Sequence, residues 1–232
     1  MRPMSRRERG GRGPLVRSTT VGCNPARGGP GVEEDGRSEV TTADGPAGLP
    51  TALSRVRAVV AGVGEDDLGR PTPCTDWTVA DLVDHVISGN RMFASILRGE
   101  QTRAVSGDRR AGLGPVDADR VAAYDRAADE LLTAFRTDGA LERVITVPFG
   151  TVPGSVALHL RLTELLVHGW DLARATDQRF EVPDELAHQE LDFSRRAIER
   201  LPPGRSPFGT PRPVPEGATD LDRLVALLGR VP

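Results

Sequence analysis

The sequence contains no lysine, because all 30 of its basic residues are arginine. Without lysine the chain cannot form a Schiff base and cannot build a lysine-containing phosphate loop, so both chemistries are excluded. No single site would demand this absence. We attribute it to the codon usage of a GC-rich genome.

Aromatic residues are also scarce, at 4% of the 232 residues, although 38% are hydrophobic. The core must therefore consist of leucine, valine and alanine, which suits packed helices better than a β-sandwich. The two cysteines, Cys23 and Cys74, have neither the spacing of a zinc ribbon nor that of a disulfide framework. A chain without a disulfide framework is typical of a reducing compartment. No apolar run reaches the roughly 18 residues of a membrane-spanning helix, and no apolar segment typical of a signal peptide follows the basic N-terminus. We therefore predict a cytoplasmic protein.

The net charge of −3 argues against a general affinity for nucleic acid or anionic membranes. Residues 1–46 are rich in Gly, Arg, Pro and Ser and show no hydrophobic period, so we predict a disordered arm. The Arg/Gly block at residues 6–13 leaves RNA contact as an alternative, and translation from a start near Val40 is another.

The hydrophobic pattern after the arm repeats with a helical period and predicts an all-α protein. We expect a helical bundle over residues 47–201 and a proline-rich extension with a short helix over 202–232. Thr78 followed by Asp81 is a capping-box pattern that marks one helix start. The predicted helices run from Leu49 to about residue 68, 78–98, 117–137, 155–176, from Pro183 to about 201, and 219–228, with a short extended piece at 144–147. Four long helices with such loops fit an up-and-down bundle with extra C-terminal helices.

Glu164 and His168 lie four residues apart, about 40° from each other on one helix face. Their neighbours are mostly leucine and valine, so the face should be buried. A buried glutamate needs a cation, a proton or several donors to offset its desolvation. The spacing also allows a carboxylate and an imidazole to bind one metal ion from adjacent turns.

The other histidines are ambiguous from the pattern alone. His85 lies on an inward stripe of the second helix, where a histidine is more often a core residue than a ligand. His159 lies about 140° around the helix from Glu164 and faces away from it. Glu185 and His188 match one half of a ferritin-like di-metal motif, which needs a second copy that the sequence does not contain. His188 is expected to be solvated.

Two long motifs resemble a known family. The segment Pro-Thr-Pro-Cys-Thr-Asp-Trp-Thr-Val-Ala-Asp-Leu-Val-Asp-His at 71–85 is similar to the first motif of the DinB-like family, which includes the metal-binding domain of mycothiol-dependent maleylpyruvate isomerase. The segment Thr-Glu-Leu-Leu-Val-His-Gly-Trp-Asp-Leu-Ala-Arg-Ala-Thr at 163–176 is similar to the second. The tail, with Pro-Phe-Gly at 207–209 and Leu-Asp-Arg-Leu-Val-Ala-Leu-Leu-Gly-Arg at 221–230, resembles one branch of the family. The resemblance covers about residues 49–230.

The resemblance implies a DinB-like four-helix bundle whose divalent metal is bound by His85, Glu164 and His168. Such nitrogen and oxygen ligands favour Zn²⁺, and Ni²⁺ or Fe²⁺ would also fit. The resemblance further implies a mycothiol-dependent transferase or isomerase that acts on a small thiol or thiol conjugate. The isomerases have an additional C-terminal domain, for which too few residues follow Leu201. A non-catalytic metal-binding or ligand-sensing bundle is therefore the alternative.

Three further residues have possible supporting roles. Arg161, one turn before Glu164, is expected to bind a cosubstrate, and its alternatives are a surface position or pairing with the glutamate. Asp171 could orient the imidazole of His168 or form an exposed ion pair with Arg174. Cys74 is expected to be a small buried hydrophobic residue, with a position near the metal as the alternative.

Overall fold

The computed structural model describes residues 47–75, 77–100, 119–148, 150–200 and 209–232. The predicted disordered arm lies outside these residues. The helices and strands are α1 Gly48–Ala61, α2 Val79–Leu97, α3 Arg120–Arg136, β1 Val144–Val147, β2 Gly150–Pro153, α4 Gly154–Ala175, α5 Asp184–Glu199 and α6 Asp220–Leu227.

Local hydrogen bonds fix where the helices begin. The hydroxyl of Thr78 accepts from the backbone N–H of Asp81, and the Asp81 carboxylate accepts from the backbone N–H of Thr78, which confirms the predicted capping box. Thr219 and Asp222 form the same reciprocal pair at α6. The carboxylate of Asp119 caps α3 through the N–H of Ala122 at 2.9 Å.

The predicted extended piece is strand β1, which pairs with β2 in an antiparallel hairpin that packs against α2 and α4. Ile145 and Val147 are buried, whereas Val144 and Thr146 are exposed, as expected for a strand with one face on the core. The sequence did not predict β2, because a four-residue strand beginning with glycine and ending with proline has almost no strand signal.

Four helices form the bundle. Helices α1 and α2 each pack against both α3 and α4, so the order around the bundle is α1, α3, α2, α4. Helices α5 and α6 pack against each other and against α4. The predicted all-α four-helix bundle with extra C-terminal helices is confirmed. None of the helices in the described ranges is long and apolar enough to cross a membrane.

Helix α4 occupies the centre of the described structure, since it contacts four helices, α1, α2, α5 and α6, and the hairpin. Of its 22 residues, 17 are buried, including several with polar or charged side chains. A buried polar group without a hydrogen bond costs about 1–3 kcal/mol of stability, so each of these side chains requires a partner. The partners of Arg161, His168 and Asp171 lie at the candidate site.

Candidate metal centre

The loop before α2 brings two side chains to the surface of α4. The Thr72 hydroxyl donates to the carbonyls of Cys74 and Trp77, both at 3.0 Å, and Pro71 and Thr78 close the loop as an isolated β-bridge. Because these hydrogen bonds fix the loop, Cys74 is buried and the indole of Trp77 lies against the imidazole of His85 on α2.

The structure brings together two of the three predicted metal ligands. The rings of His85 on α2 and His168 on α4 have centroids 5.0 Å apart and lie nearly perpendicular, at 88°. The indole of Trp77 lies edge-on to His85, with a centroid distance of 4.4 Å, and is stacked with His168, with a centroid distance of 6.2 Å. Two imidazoles from different helices therefore lie next to each other and to one indole ring.

His85 is held in its neutral form. Burial lowers its pKa well below the usual value for histidine, and the neighbouring His168 and Arg161 lower it further. A neutral imidazole has a free lone pair, which is the form that binds a metal ion. The surroundings of His85 thus suit metal binding at neutral pH.

Glu164, the third predicted ligand, is partly accessible, with 20% of its side-chain surface exposed. Its Oε2 accepts a hydrogen bond from Nη1 of Arg161 at 2.7 Å, and its Oε1 has no hydrogen-bond partner in the described part of the chain. The potential ligand atoms of His85, Glu164 and His168 do not all lie within 4.8 Å of one another. One carboxylate oxygen is free, but Arg161 holds the other.

Arg161 has no exposed surface. Its Nε and Nη2 donate to Oδ1 of Asn90 at 2.9 and 2.8 Å, and Nη2 also donates to the carbonyl of Val86 at 2.7 Å. A Cβ at Gly89 would lie 2.5 Å from Nη1, so only glycine leaves room for the guanidinium. The structure shows the bond to Glu164 that the sequence allowed. Contact with a cosubstrate would require Arg161 to leave these partners, and that role remains a prediction.

Asp171 is fully buried and hydrogen-bonds to Nδ1 of His168 at 3.2 Å. Burial raises its pKa, but the bond to His168 and the charge of Arg230 outweigh this effect, so the net pKa is lowered. An ionised carboxylate only accepts, so Nδ1 carries a proton, and in the neutral form of the ring the lone pair is on Nε2. The exposed ion pair with Arg174 does not occur, because that guanidinium lies over Trp170.

A second group of potential ligands includes Cys74, for which the sequence left open a position near the metal, but the group as a whole was not predicted. Atoms of Cys74, His168 and Asp171 all lie within 4.8 Å of one another, and all three residues are buried. Both oxygens of Asp171 already accept from Arg230, at 3.2 and 2.9 Å. Asp171 is therefore a poorer metal ligand than Glu164, which has one free oxygen. No sequence spacing connects Cys74 with α4, since the contact arises from the loop.

The two remaining histidines lie elsewhere. His159 faces away from Glu164, as predicted, but it is buried, and its Nδ1 lies 2.8 Å from Oε1 of Glu190 on α5. The side chain of His188 is 62% exposed and bonds to Asp220 at 2.8 Å, which agrees with a solvated position. Neither belongs to a group of three potential ligands among the described residues.

A groove of about 480 Å³ lies beside the site, on the outer surface of α4. Its walls carry two arginines and several apolar side chains, and none of the three predicted ligands contributes to them. The lining residues are Arg70, Pro71, Thr72, Pro73, Trp170, Arg174, Ala175 and Val231.

Comparison with known families agrees with the motifs and the bundle. Residues 49–173 match the model of the mycothiol maleylpyruvate isomerase N-terminal domain. The chain belongs to this family. Two uncharacterized proteins from two strains of Mycobacterium tuberculosis, MT0763 and Rv0738, are each 37% identical over 175 residues, which cover 75% of this chain and 90% of theirs.

Two crystal structures of mycothiol-dependent maleylpyruvate isomerase, one of them a histidine-to-alanine mutant, share the fold with TM-scores of 0.51. Sequence identity is 19% and 20%, and each match covers 63% of this chain and 65% of the isomerase chain. At this identity the likeness shows the fold alone. The chain spans less than two thirds of the isomerase, and the predicted DinB-like fold is confirmed.

Proposed function

We propose that this protein binds one divalent metal ion, with Zn²⁺ favoured, through His85, Glu164 and His168. The observation that supports this most directly is the pair of imidazoles with ring centroids 5.0 Å apart. Burial lowers the pKa of His85, which favours its neutral form, and Nδ1 of His168 is bonded to Asp171, which leaves Nε2 as the nitrogen of that ring for a metal. The third ligand would be Oε1 of Glu164, and Zn²⁺, Ni²⁺ and Fe²⁺ all accept two imidazoles and a carboxylate.

The ligand set favours chemistry over a purely structural metal. A structural zinc site is usually closed by four protein ligands, whereas two imidazoles and one carboxylate leave a position for water or substrate. A metal bound here would lower the pKa of a thiol and supply a thiolate at neutral pH. The chain's own residues orient the ligands and, through Trp77, limit the access of water.

The thiol that we propose is mycothiol, because the family is named for a mycothiol-dependent isomerase. In a transfer reaction the thiolate sulfur forms a bond to one carbon of an electrophilic double bond, the π electrons move to the neighbouring carbon, and that carbon takes up the proton that the thiol released. In an isomerisation the thiolate adds to a double bond and is eliminated after rotation, so the thiol is regenerated. We propose a mycothiol-dependent transferase or isomerase.

Two observations favour the non-catalytic alternative. His168 is only 6% exposed and lies beneath Trp77. The groove of about 480 Å³ beside α4 does not include the three proposed ligands. A metal enclosed in this way would stabilise the bundle or sense a ligand instead of activating a substrate.

A thiol assay separates the two. Zinc-loaded protein is incubated with mycothiol and a panel of unsaturated electrophilic acids that includes maleylpyruvate, and thiol loss and product formation are followed by chromatography. An enzyme should give thiol loss for transfer, or product without thiol loss for isomerisation. The variant Glu164→Gln should lose at least tenfold in rate, and His188→Ala, an exposed histidine, should retain it. Metal binding without turnover of any substrate would favour the non-catalytic alternative.

A further inference from the structure

The C-terminal end of α6 is shaped to return the chain to α4. Gly229 adopts φ +94°. Its N–H donates to the carbonyl of Ala226 at 3.0 Å, and the N–H of Arg230 donates to the carbonyl of Val225 at 2.9 Å. This pair of bonds is the Schellman motif, which ends helices at a left-handed glycine. A Cβ at Gly229 would also lie 2.8 Å from Cα of Gly209. The turn directs Arg230 into the protein.

Arg230 then binds Asp171 with two donors. Its Nε donates to Oδ1 at 3.2 Å and its Nη2 to Oδ2 at 2.9 Å, and the same Oδ2 accepts from Nδ1 of His168. The three residues are 7%, 0% and 6% exposed. Arg230 is 59 residues from Asp171 in sequence, so this contact exists only when the C-terminal segment is docked.

The arrangement controls one ring nitrogen of His168. A carboxylate that accepts from Nδ1 fixes the tautomer with the lone pair on Nε2 and fixes the plane of the ring. Without Arg230, Asp171 would be a buried anion with one partner fewer, free to rotate or to take up a proton. The orientation of the imidazole would no longer be fixed.

We propose that Arg230 is a positioning residue of the metal site: it fixes the carboxylate of Asp171, and Asp171 in turn fixes the imidazole of His168. Docking of the C-terminal segment, residues 209–232, is thereby coupled to metal binding. This inference rests on the proposed function, since it takes His168 as a ligand. Coupling is reciprocal, so the metal should also stabilise the docked segment.

The first measurement is Co²⁺ affinity, with the visible spectrum of bound Co²⁺ as a signature of ligand geometry. The variants are Arg230→Gln and Arg230→Lys, and the control is Arg223→Gln in the exposed part of α6. Loss of a group that orients a ligand typically weakens metal binding by about 10–100-fold. For Arg230→Gln we expect the Kd for Co²⁺ to rise by this factor and the spectrum to change. For Arg230→Lys we expect a smaller rise in Kd, and for the control a change in Kd below about twofold.

The second measurement requires no metal. Nitrogen-15 NMR of the imidazole should show His168 in wild type with the proton on Nδ1 only, and in Arg230→Gln as a mixture of tautomers. A change in Kd without a change in tautomer would overturn the proposal, because the effect would then not pass through His168. If Arg230→Gln does not fold, Arg230→Lys is examined by the same two measurements, with the same outcomes decisive.

The failures of the two proposals are distinguishable. If wild type binds Co²⁺, His168→Ala does not, and Arg230→Gln binds as wild type does, only the positioning role is overturned, and Arg230 is a structural tie. If wild type binds no Co²⁺, or His168→Ala binds it equally well, the proposed function fails and the coupling fails with it.

Discussion

Nη1 of Arg161 donates to Oε2 of Glu164 at 2.7 Å, one helical turn away on α4, and the guanidinium is completely buried. The proposed carboxylate ligand therefore has a permanent cation beside it in the folded protein. Such a partner offsets the desolvation of the glutamate when no metal is bound, and it leaves the other oxygen free.

Gly89→Ala should destabilise the protein, although replacing glycine by alanine inside a helix usually stabilises it. Alanine normally stabilises a helix interior by about 1 kcal/mol relative to glycine. Here the new methyl would lie 2.5 Å from Nη1 of Arg161, and overpacking costs about 1–3 kcal/mol. Urea unfolding measures the change, with Ser88→Ala in the same turn as control. A gain in stability would show that the guanidinium can move freely.

Glu164→Gln should lower the stability of the metal-free protein by about 1–2 kcal/mol, because Arg161 exchanges a charged acceptor for a neutral one. The amide keeps the volume of the side chain, so no cavity contributes to the loss. Urea unfolding in the presence of a chelator measures the difference. Glu185→Gln, an exposed position on α5, is the control and should be neutral within about 0.5 kcal/mol. An unchanged free energy for Glu164→Gln would mean that the bond to Arg161 contributes nothing.

Much of this architecture follows from local sequence. The helical period located the six helices of the described residues, although α1 ends at Ala61 and not near residue 68. The pair Thr78 and Asp81 located the start of α2, because both signals depend only on neighbouring residues. The contacts of Arg230 with Asp171 and of Cys74 with His168 could not be predicted in the same way. They join segments far apart in sequence, and no period specifies which distant side chain lies on a given face of α4.

The burial of His159 shows the same limit. Helical geometry predicts that it faces away from Glu164, and it does. It cannot predict that α5 covers that face, with Glu190 bound to the imidazole and to Thr163. A residue opposite the site is therefore part of a second buried network.

Glu190 should make stability depend on pH. Burial raises its pKa above the ordinary value, although bonds from His159 and Thr163 act in the other direction. A carboxyl with a raised folded pKa stabilises the protein fully below its unfolded pKa of about 4.3, and the contribution is lost as pH rises through the folded pKa. The stability of wild type relative to Glu190→Gln should therefore fall from about pH 4 upward. Urea unfolding between about pH 4 and 8 measures it, and a relative stability that rises with pH would refute the assignment.

Trp77 should report metal binding. The chain has two tryptophans, and Trp77 has its ring centroid 4.4 Å from that of His85. In Trp170→Phe, where Trp77 is the only indole, Ni²⁺ should strongly quench the fluorescence. In Trp77→Phe, where Trp170 lines the outer groove, the quenching should be weaker. Equal quenching in both variants would indicate non-specific binding.

The central claim is that His85, Glu164 and His168 bind one metal ion together. The most direct test is elemental analysis of protein loaded with Zn²⁺ and passed through a desalting column, for wild type, His85→Ala, Glu164→Gln, His168→Ala and the control His188→Ala. We predict one zinc per chain in wild type and the control, and a strongly reduced content in the three ligand variants. Less than a tenth of an equivalent in wild type, or equal zinc in all five proteins, would contradict the account.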